Sequence, residues 1–302
     1  MNGGPPRTLP ISVIVPSRGR PQLLGECVES ILAGSELPRE LVVVDQSATE
    51  NRALAELGTV NGCAVLYRHS ASRGVSAARN EACAIASQEI LAFTDDDILV
   101  APDWVGEITL AVQAEADSTL ISGRVRFIDT HLAGGFAPSL IDEDEPKLYE
   151  GRIWNDVLFS NNMAFSRTIF ERLGPFDPRL GAGAPYRAAT DNDYCFRALE
   201  AGYRIRYVPE AVVYHQAWRE KKSYPQLQWG YGVGQGACMT KHIHLGDRYM
   251  VIRARHELRK HLRLAVEQRT QDREAAKGDA AFALGLMYGS ARWLLLERMR
   301  GR

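Results

Sequence analysis

Along residues 11–93 the apolar side chains come in short runs, separated by segments whose apolar positions fall three and four apart. Residues 11–15, Ile-Ser-Val-Ile-Val, form a largely β-branched run closed by Pro16, and the next segment, 21–33, sets Leu23, Leu24, Cys27, Val28, Ile31 and Leu32 at helical spacing. The alternation then repeats. Residues 41–44, Leu-Val-Val-Val, have the continuous apolar character of a parallel strand buried on both faces. Residues 65–67 predict a third strand, the alanine-rich stretch 74–87 a helix, and residues 90–93 another buried strand. Strands and helices in this rhythm predict an α/β sheet with mostly parallel strands. Ligands of such sheets gather beyond the carboxyl ends of the strands, which is where Asp45 and the acidic run Asp95, Asp96 and Asp97 fall.

The later pattern is less regular. Residues 125–150 hold Gly134, Gly135, Pro138 and the acidic run 142–145, the composition of a surface excursion or a lid. Residues 162–165 predict a strand, 168–173 a helix, and 191–201 a second helix closed by Gly202. Residues 204–208 and 211–214 read as two strands, the second ending at His215. From about residue 230 the glycine-spaced segment 230–236 leads into helical sequence. There residues 248–302 hold 13 Lys and Arg against 6 Asp and Glu, an excess of seven positive charges. Residues 280–296 are apolar in patches but interrupted by Arg292, which predicts an amphipathic helix rather than a membrane span. Such a helix suits an anionic membrane surface, the body of the protein, or a second subunit, and leaves the oligomeric state open.

Composition narrows the class. The 302 residues, 45% hydrophobic and 24% charged, suffice for one large domain or two modest ones. A net charge of −1 offers no basic field for nucleic acid. Cys27, Cys63, Cys83, Cys195 and Cys238 are odd in number and far apart, which suits reduced thiols rather than a disulfide frame or a zinc site. Residues 1–10 lack the apolar stretch and small-residue cleavage site of a secretory leader, so a cytoplasmic location is expected, including the cytoplasmic face of a membrane.

Two carboxylates at i and i+2 on an extended backbone point to one side, so Asp95 and Asp97 can share a hard cation such as Mg2+ or Mn2+. A cation there would neutralise charge developing on a leaving nucleoside diphosphate. An Asp-rich turn that caps the next helix is the structural alternative. Three adjacent carboxylates after a buried strand repel one another, however, which calls for a cation or strong donors nearby.

Taken in order, several segments resemble the family 2 glycosyltransferases. The likeness runs from Ile11 to about Arg219. It begins with Pro16, Ser17 and Arg18, similar to the donor-binding loop after the family's opening strand. Asp45 looks like the aspartate that recognises the nucleotide base, with Gln46 where a second aspartate is frequent. Gly74 to Asn80 matches the glycine and Ala-Arg-Asn pattern ahead of the metal motif, and Arg79 in it would orient carboxylates or diphosphate. Asp95, Asp96 and Asp97 then stand as the Asp-x-Asp motif, Asp95 and Asp96 toward the donor and Asp95 and Asp97 toward the metal. Asn162 and the segment 174–183 look like acceptor-side elements. The stretch from Thr190 to Arg197 is similar to the family's Glu-Asp-x-Asp-Leu, with Thr190 where glutamate is usual, Asp191 as the general base and Asp193 on the acceptor side. His215 occupies the place of a histidine that approaches the metal, and Trp218 is set to stack on an acceptor sugar.

The resemblance implies a GT-A fold, Rossmann-like, with a mostly parallel sheet flanked by helices and a C-terminal helical extension. The expected domains are a catalytic one over 8–229, with a nucleotide-sugar half at about 8–100 and an acceptor half at about 101–229, and a helical extension over 230–302. The expected activity is inverting transfer of a sugar from a UDP-, GDP- or dTDP-linked donor to a hydroxyl of a glycan, a lipid-linked acceptor or a small molecule. A nucleotidyltransferase and a silent nucleotide-sugar-binding scaffold are the alternatives. The first would need a triphosphate loop that residues 17–20 imitate only weakly; the second is kept open by Gln46 and Thr190.

Overall fold

The computed structural model describes residues 6–128, 135–136, 139–216 and 219–300. In chain order the first elements are β1 (Arg7–Ser17), α1 (Pro21–Leu32), β2 (Glu36–Asp45), α2 (Arg52–Ala55), β3 (Thr59–Val60), β4 (Cys63–His69), α3 (Val75–Ile85), β5 (Ile90–Phe93), β6 (Ile98–Val100) and α4 (Trp104–Glu115). There follow β7 (Thr119–Phe127), β8 (Gly135–Phe136), β9 (Lys147–Tyr149), β10 (Met163–Ser166), α5 (Arg167–Leu173), α6 (Thr190–Glu200), β11 (Arg204–His215), β12 (Arg219–Glu220), α7 (Tyr224–His244), α8 (Arg248–Glu267) and α9 (Arg273–Arg300). They form two compact units: one of Met1–Thr130, Ala137–Phe176 and Tyr194–Ala217, the other of His131–Phe136, Asp177–Asp193 and Trp218–Arg302.

The first unit is built on one mixed sheet of order β3-β4-β2-β1-β5-β10-β7-β11-β6, with β9 paired to β11. Strands β4, β2, β1 and β5 run parallel, as do β7 and β11, while β10 lies antiparallel between β5 and β7. The apolar runs at 11–15 and 41–44 are fully buried on both faces except Ser12, which is itself buried and donates to Glu40 at 2.7 Å. The chain leaves β1 toward β2 on one side and returns from β4 to β5 on the other, so the topological switch point lies between β1 and β5. Their carboxyl ends deliver Ser17 and Asp95. An aromatic stack holds this centre: Phe165 lies against Phe93 and Tyr194 at 5.1 and 5.3 Å, and Phe176 against Tyr194 at 4.3 Å.

Two features differ from the sequence pattern. The runs 204–208 and 211–214 belong to a single strand, β11, whose register against β7 shifts between Val208 and Val212. Pro209, without an N–H to give the ladder, sits inside that irregularity. The acidic run 142–145 is paired with arginines of β7: Arg124 with Asp144 at 2.6 Å and Arg126 with Asp142 at 3.0 Å.

The second unit is a layer of helices, with the short β8–β12 pair beside it. Helices α7 and α9 pack backbone against backbone through glycines at four-residue spacing. A Cβ on Gly232 or Gly236 would run into the Phe282 or Leu286 carbonyl, and one on Gly289 into that of Val233. Gly285 faces the Trp229 carbonyl, 2.6 Å from where its Cβ would stand. The glycine-rich segment 230–236 is therefore a helix-packing surface.

Two alanine substitutions should act in opposite directions. Gly236→Ala, which collides with backbone, should lower unfolding free energy by about 2 kcal/mol or more. Gly25→Ala, in α1 with no atom within 4 Å of the new methyl group, should raise it by roughly 0.5–1 kcal/mol. Urea melts of the two variants check both signs.

Candidate active site

The acidic run begins two residues beyond β5, after Thr94, whose amide bonds the Ile14 carbonyl at 3.1 Å and extends the β1–β5 pairing. Each of the three carboxylates has its own partner. Asp95 Oδ1 accepts from Arg79 at 2.7 Å, and Arg79, on α3, is buried with its side chain only 1% exposed. Asp96 accepts from the Ser17 hydroxyl at 2.7 Å and from Arg20 at 3.1 Å. Asp97 accepts from Arg20 at 2.7 Å and lies 3.5 Å from His215 Nε2. The antiparallel pairing of β6 with the end of β11 sets His215 opposite Ile98, and the Gln216 amide bonds the Asp97 carbonyl at 2.9 Å.

These surroundings separate the acids electrostatically. Burial pushes the Asp96 carboxyl up to about 6, against the pull of Arg20 and Ser17. Burial works the same way on Asp97, yet His215 and Arg20 outweigh it and hold that carboxyl below its ordinary value. Arg20 is partly desolvated, but Asp96 and Asp97 favour its charged form and raise its pKa. The negative field reaches Cys27, whose thiol is pushed well up, chiefly by burial and then by the three aspartates.

Beside the run, Asp45 ends β2, opposite Ser17 in the register. Its carboxylate accepts from the Ser47 amide at 2.9 Å, the Ser47 hydroxyl, and the Tyr67 hydroxyl at 2.9 Å. Gly19, at φ 68°, gives its amide to Ser47 at 2.7 Å and ties the loop after β1 to the loop after β2. Pro16 is buried and pairs with Val44, whereas Arg18 is exposed. Gln46 reaches Ser72 at 2.8 Å and the Gly74 carbonyl at 3.1 Å, tying the loop after β2 to the start of α3.

Two residues expected on the acceptor side lie deep in the fold. Asn162 is fully buried, giving both amide hydrogens to the Arg124 and Ala211 carbonyls at 2.9 and 2.8 Å and accepting from the Trp104 indole at 2.8 Å. Its hydrogen-bonding capacity is spent on joining strands. Asp193 is likewise fully buried in the second unit, 2.6 Å from Lys241 and 3.1 Å from His242, and Lys241 also reaches Asp177 at 2.9 Å. Both are fold anchors. Asp191, half-buried in the first turn of α6, accepts from the Asn192 amide at 3.0 Å, and Ala189 just before the helix has φ 70°, unusual for a residue with a Cβ. Asp191 belongs to the second unit and the acidic run to the first. Trp218 lies outside the described residues.

Sequence reading passed over Arg20 as a site residue. Its signal was electrostatic: a cation at the N-terminal end of a helix, α1, opposes the helix dipole unless acids stand nearby. Tyr67, Lys241 and His242 carried no such signal.

For a divalent cation the donor set is suitable. Carboxylate oxygens of Asp95 and Asp97 with the imidazole of His215 are hard-to-borderline ligands of the kind Mg2+ and Mn2+ accept. Arg79 also keeps two buried donors, Nε and Nη1, without a hydrogen-bond partner, which suits a region that receives anionic or water oxygens.

The switch point of an open α/β sheet, here flanked by carboxylates and guanidinium groups, is where such a sheet binds its ligand. Residues 12–174, more than half of the chain, match Glycosyl transferase family 2, and the chain belongs to that family and is a glycosyltransferase. It is 26% identical over 227 residues to the glucosyl-dolichyl phosphate glucuronosyltransferase of Haloferax volcanii, with 72% of each chain covered. It is 25% identical over 242 residues to the pre-mycofactocin glycosyltransferase of Mycobacterium tuberculosis, where the match takes in 77% of this chain and 48% of that protein. In fold it is similar to the Pyrobaculum calidifontis mannosyltransferase PcManGT, solved with GDP-Man and Mn2+. That likeness has a TM-score of 0.58 and 20% identity, over 96% of this chain and 79% of that one. The likeness bears out the GT-A fold, a mostly parallel sheet flanked by helices with a helical C-terminal region.

A pH series tests the anchor in the second unit. Burial alone would raise the Asp177 carboxyl, but its bonds to Arg179 and Lys241 hold it far below the ordinary range. The folded pKa is thus depressed, so its stabilisation is fully present above the unfolded value of about 4 and is lost progressively as pH falls below that value toward the folded pKa. Chemical melts of Asp177→Asn should lie below wild type at pH 7 and approach it below about pH 4.

Proposed function

We propose that the chain transfers a sugar from a nucleoside-diphosphate donor to a hydroxyl acceptor with inversion at the anomeric carbon, assisted by Mn2+ or Mg2+. The observation that carries this reading is the convergence of Asp95, Asp96 and Asp97 with Ser17, Arg20, Arg79 and His215 at the β1–β5 switch point. Asp95, Asp97 and His215 are the residues that would hold the cation. When bound, it would neutralise charge on the leaving diphosphate. Asp45, oriented by Ser47 and Tyr67, is suited to accept hydrogen bonds from the nucleotide base, while Pro16, Ser17 and Arg18 line the donor side. Arg79 orients Asp95 through its 2.7 Å bond.

Asp191 takes the proton of the attacking hydroxyl in this reading. A carboxylate suits the step because the hydroxyl loses its proton as the glycosidic bond forms, on the face away from the departing diphosphate. Support comes from its place one turn before Tyr194, whose ring is fixed in the aromatic stack, and from the Asn192 amide that orients its carboxylate. The PcManGT complex with GDP-Man and Mn2+ supports the donor class.

For the acceptor we favour a lipid-linked hydroxyl at an anionic membrane surface. Among the described residues no helix is long and apolar enough to cross a membrane. Yet the exposed side of α9 carries Leu284, Met287, Tyr288, Leu294 and Leu295, the last 68% exposed, with no charged side chain among them. Arg273 and Lys277 are exposed earlier on the helix, and the 248–302 segment carries seven excess positive charges, which favours anionic lipid over a second copy of an equally basic surface. The Haloferax enzyme, named for a dolichyl phosphate substrate, is consistent with this class.

Two experiments test the reading. Purified protein with Mn2+ should release nucleoside diphosphate from one of the UDP-, GDP- or dTDP-sugars. Asp191→Asn should lower kcat roughly 10^2–10^4-fold with donor affinity retained; undiminished turnover would sink the base assignment. Leu284→Glu with Leu295→Glu should abolish flotation with phosphatidylglycerol vesicles while leaving transfer to a water-soluble acceptor unchanged. Wild-type protein that floats with neither anionic nor neutral vesicles would refute the membrane contact.

A further inference from the structure

The acidic run is neutralised by two arginines placed very differently. Arg79 is 1% exposed and fixed on α3, so taking it away from Asp95 would strand charge in the interior. Arg20 is 44% exposed, sits in the loop between β1 and α1, and holds both Asp96 and Asp97 through a single nitrogen, Nη1. Its backbone gives the α1 N-terminus no side-chain cap, so nothing on its own helix calls for a cation there. The bond to Asp97 Oδ2, at 2.7 Å, takes up an oxygen that a metal ion would use.

We propose that Arg20 is a displaceable counter-ion of the metal site: it neutralises Asp96 and Asp97 in the donor-free chain, competes with the divalent cation for Asp97, and moves to the donor's diphosphate when cation and donor bind. This rests on the metal and donor reading given above. Asp96 and Asp97 are 8% and 11% exposed, so Arg20 can leave them only as a cation takes its place; its own half-exposed guanidinium is free to swing, and the diphosphate offers it two or more oxygens in exchange. Cation and nucleotide then bind cooperatively, because each binds better once Arg20 has changed partners. Arg20 is a positioning residue in this scheme, and it keeps the acids from recruiting a cation before the donor arrives.

The test is a titration of the full chain with Mn2+, followed by the electron paramagnetic resonance signal of the free ion, alone and with UDP, GDP or dTDP present. Arg20→Gln should bind Mn2+ alone about tenfold more tightly than wild type and lose most of the nucleotide-induced gain, which for coupled sites is about 5–150-fold. Arg20→Lys, which keeps the charge, should bind Mn2+ alone as wild type does. Arg20→Ser removes the cation while supplying a favourable helix N-cap, and it gives the same readout should the glutamine variant fail to fold. Unchanged or weaker Mn2+ binding in a folded Gln or Ser variant overturns the proposal. Asp97→Asn separates the two levels: if it abolishes Mn2+ binding, the metal reading stands whatever Arg20 does, and if it binds Mn2+ like wild type, the metal reading falls and this proposal with it.

Discussion

Three carboxylates in succession at the end of a buried strand are the constraint around which the first unit is arranged. Two unit charges about 4 Å apart repel by about 4 kcal/mol at an effective dielectric near 20. That is a large share of the roughly 5–15 kcal/mol by which a domain is stable. The repulsion is met by pieces from three separate parts of the chain: Ser17 at the end of β1 with Arg20 just beyond it, Arg79 on α3, and His215 at the end of β11. The sheet order brings them together. Because β1 and β5 are neighbours at the switch point, the loop after one strand meets the acids after the other without any long excursion.

The second unit solves a different problem with different means. Helices α7 and α9 approach until backbone touches backbone, which only glycine permits at positions 232, 236 and 289. Close packing of this kind leaves α9 with one face committed inward and the opposite face carrying apolar side chains into solvent. Asp193 and Asp177 share Lys241, so the segment 177–193 is pinned to α7 by charge rather than by apolar contact. Helix α6 begins in that segment and continues into the aromatic stack of the first unit through Tyr194.

Much of this was legible in the sequence, and the reasons for the successes and failures are physical. The strands at 11–15, 41–44 and 90–93 announced themselves because a strand buried on both faces must be continuously apolar, and their ends located Asp45 and the acidic run. The burial of Asn162 and Asp193 was not legible because a polar residue looks the same in sequence whether it faces a ligand or a buried carbonyl. The partners that decide the matter stand far away: Trp104 for Asn162, and Lys241 and His242 for Asp193. Similarly, the glycines at 230–236 gave no sign of what they pack against, whereas the structure shows a helix pressed against another helix.

Legibility stops most sharply inside the acidic run, where sequence offers three equal aspartates and the structure makes them unequal. Asp96 and Asp97 share the same guanidinium nitrogen and are both buried, yet one is raised to about 6 and the other lowered. Arg20 alone therefore cannot account for the difference. Asp96 adds only a neutral hydroxyl from Ser17, while Asp97 adds His215, brought alongside by the short β6–β11 pairing. The three-residue strand β6, the apolar run Ile98 to Val100, is thus what brings His215 to Asp97 and separates that carboxyl from its neighbour. Two adjacent residues of the same type acquire different chemistry from a single antiparallel contact more than a hundred residues along the chain.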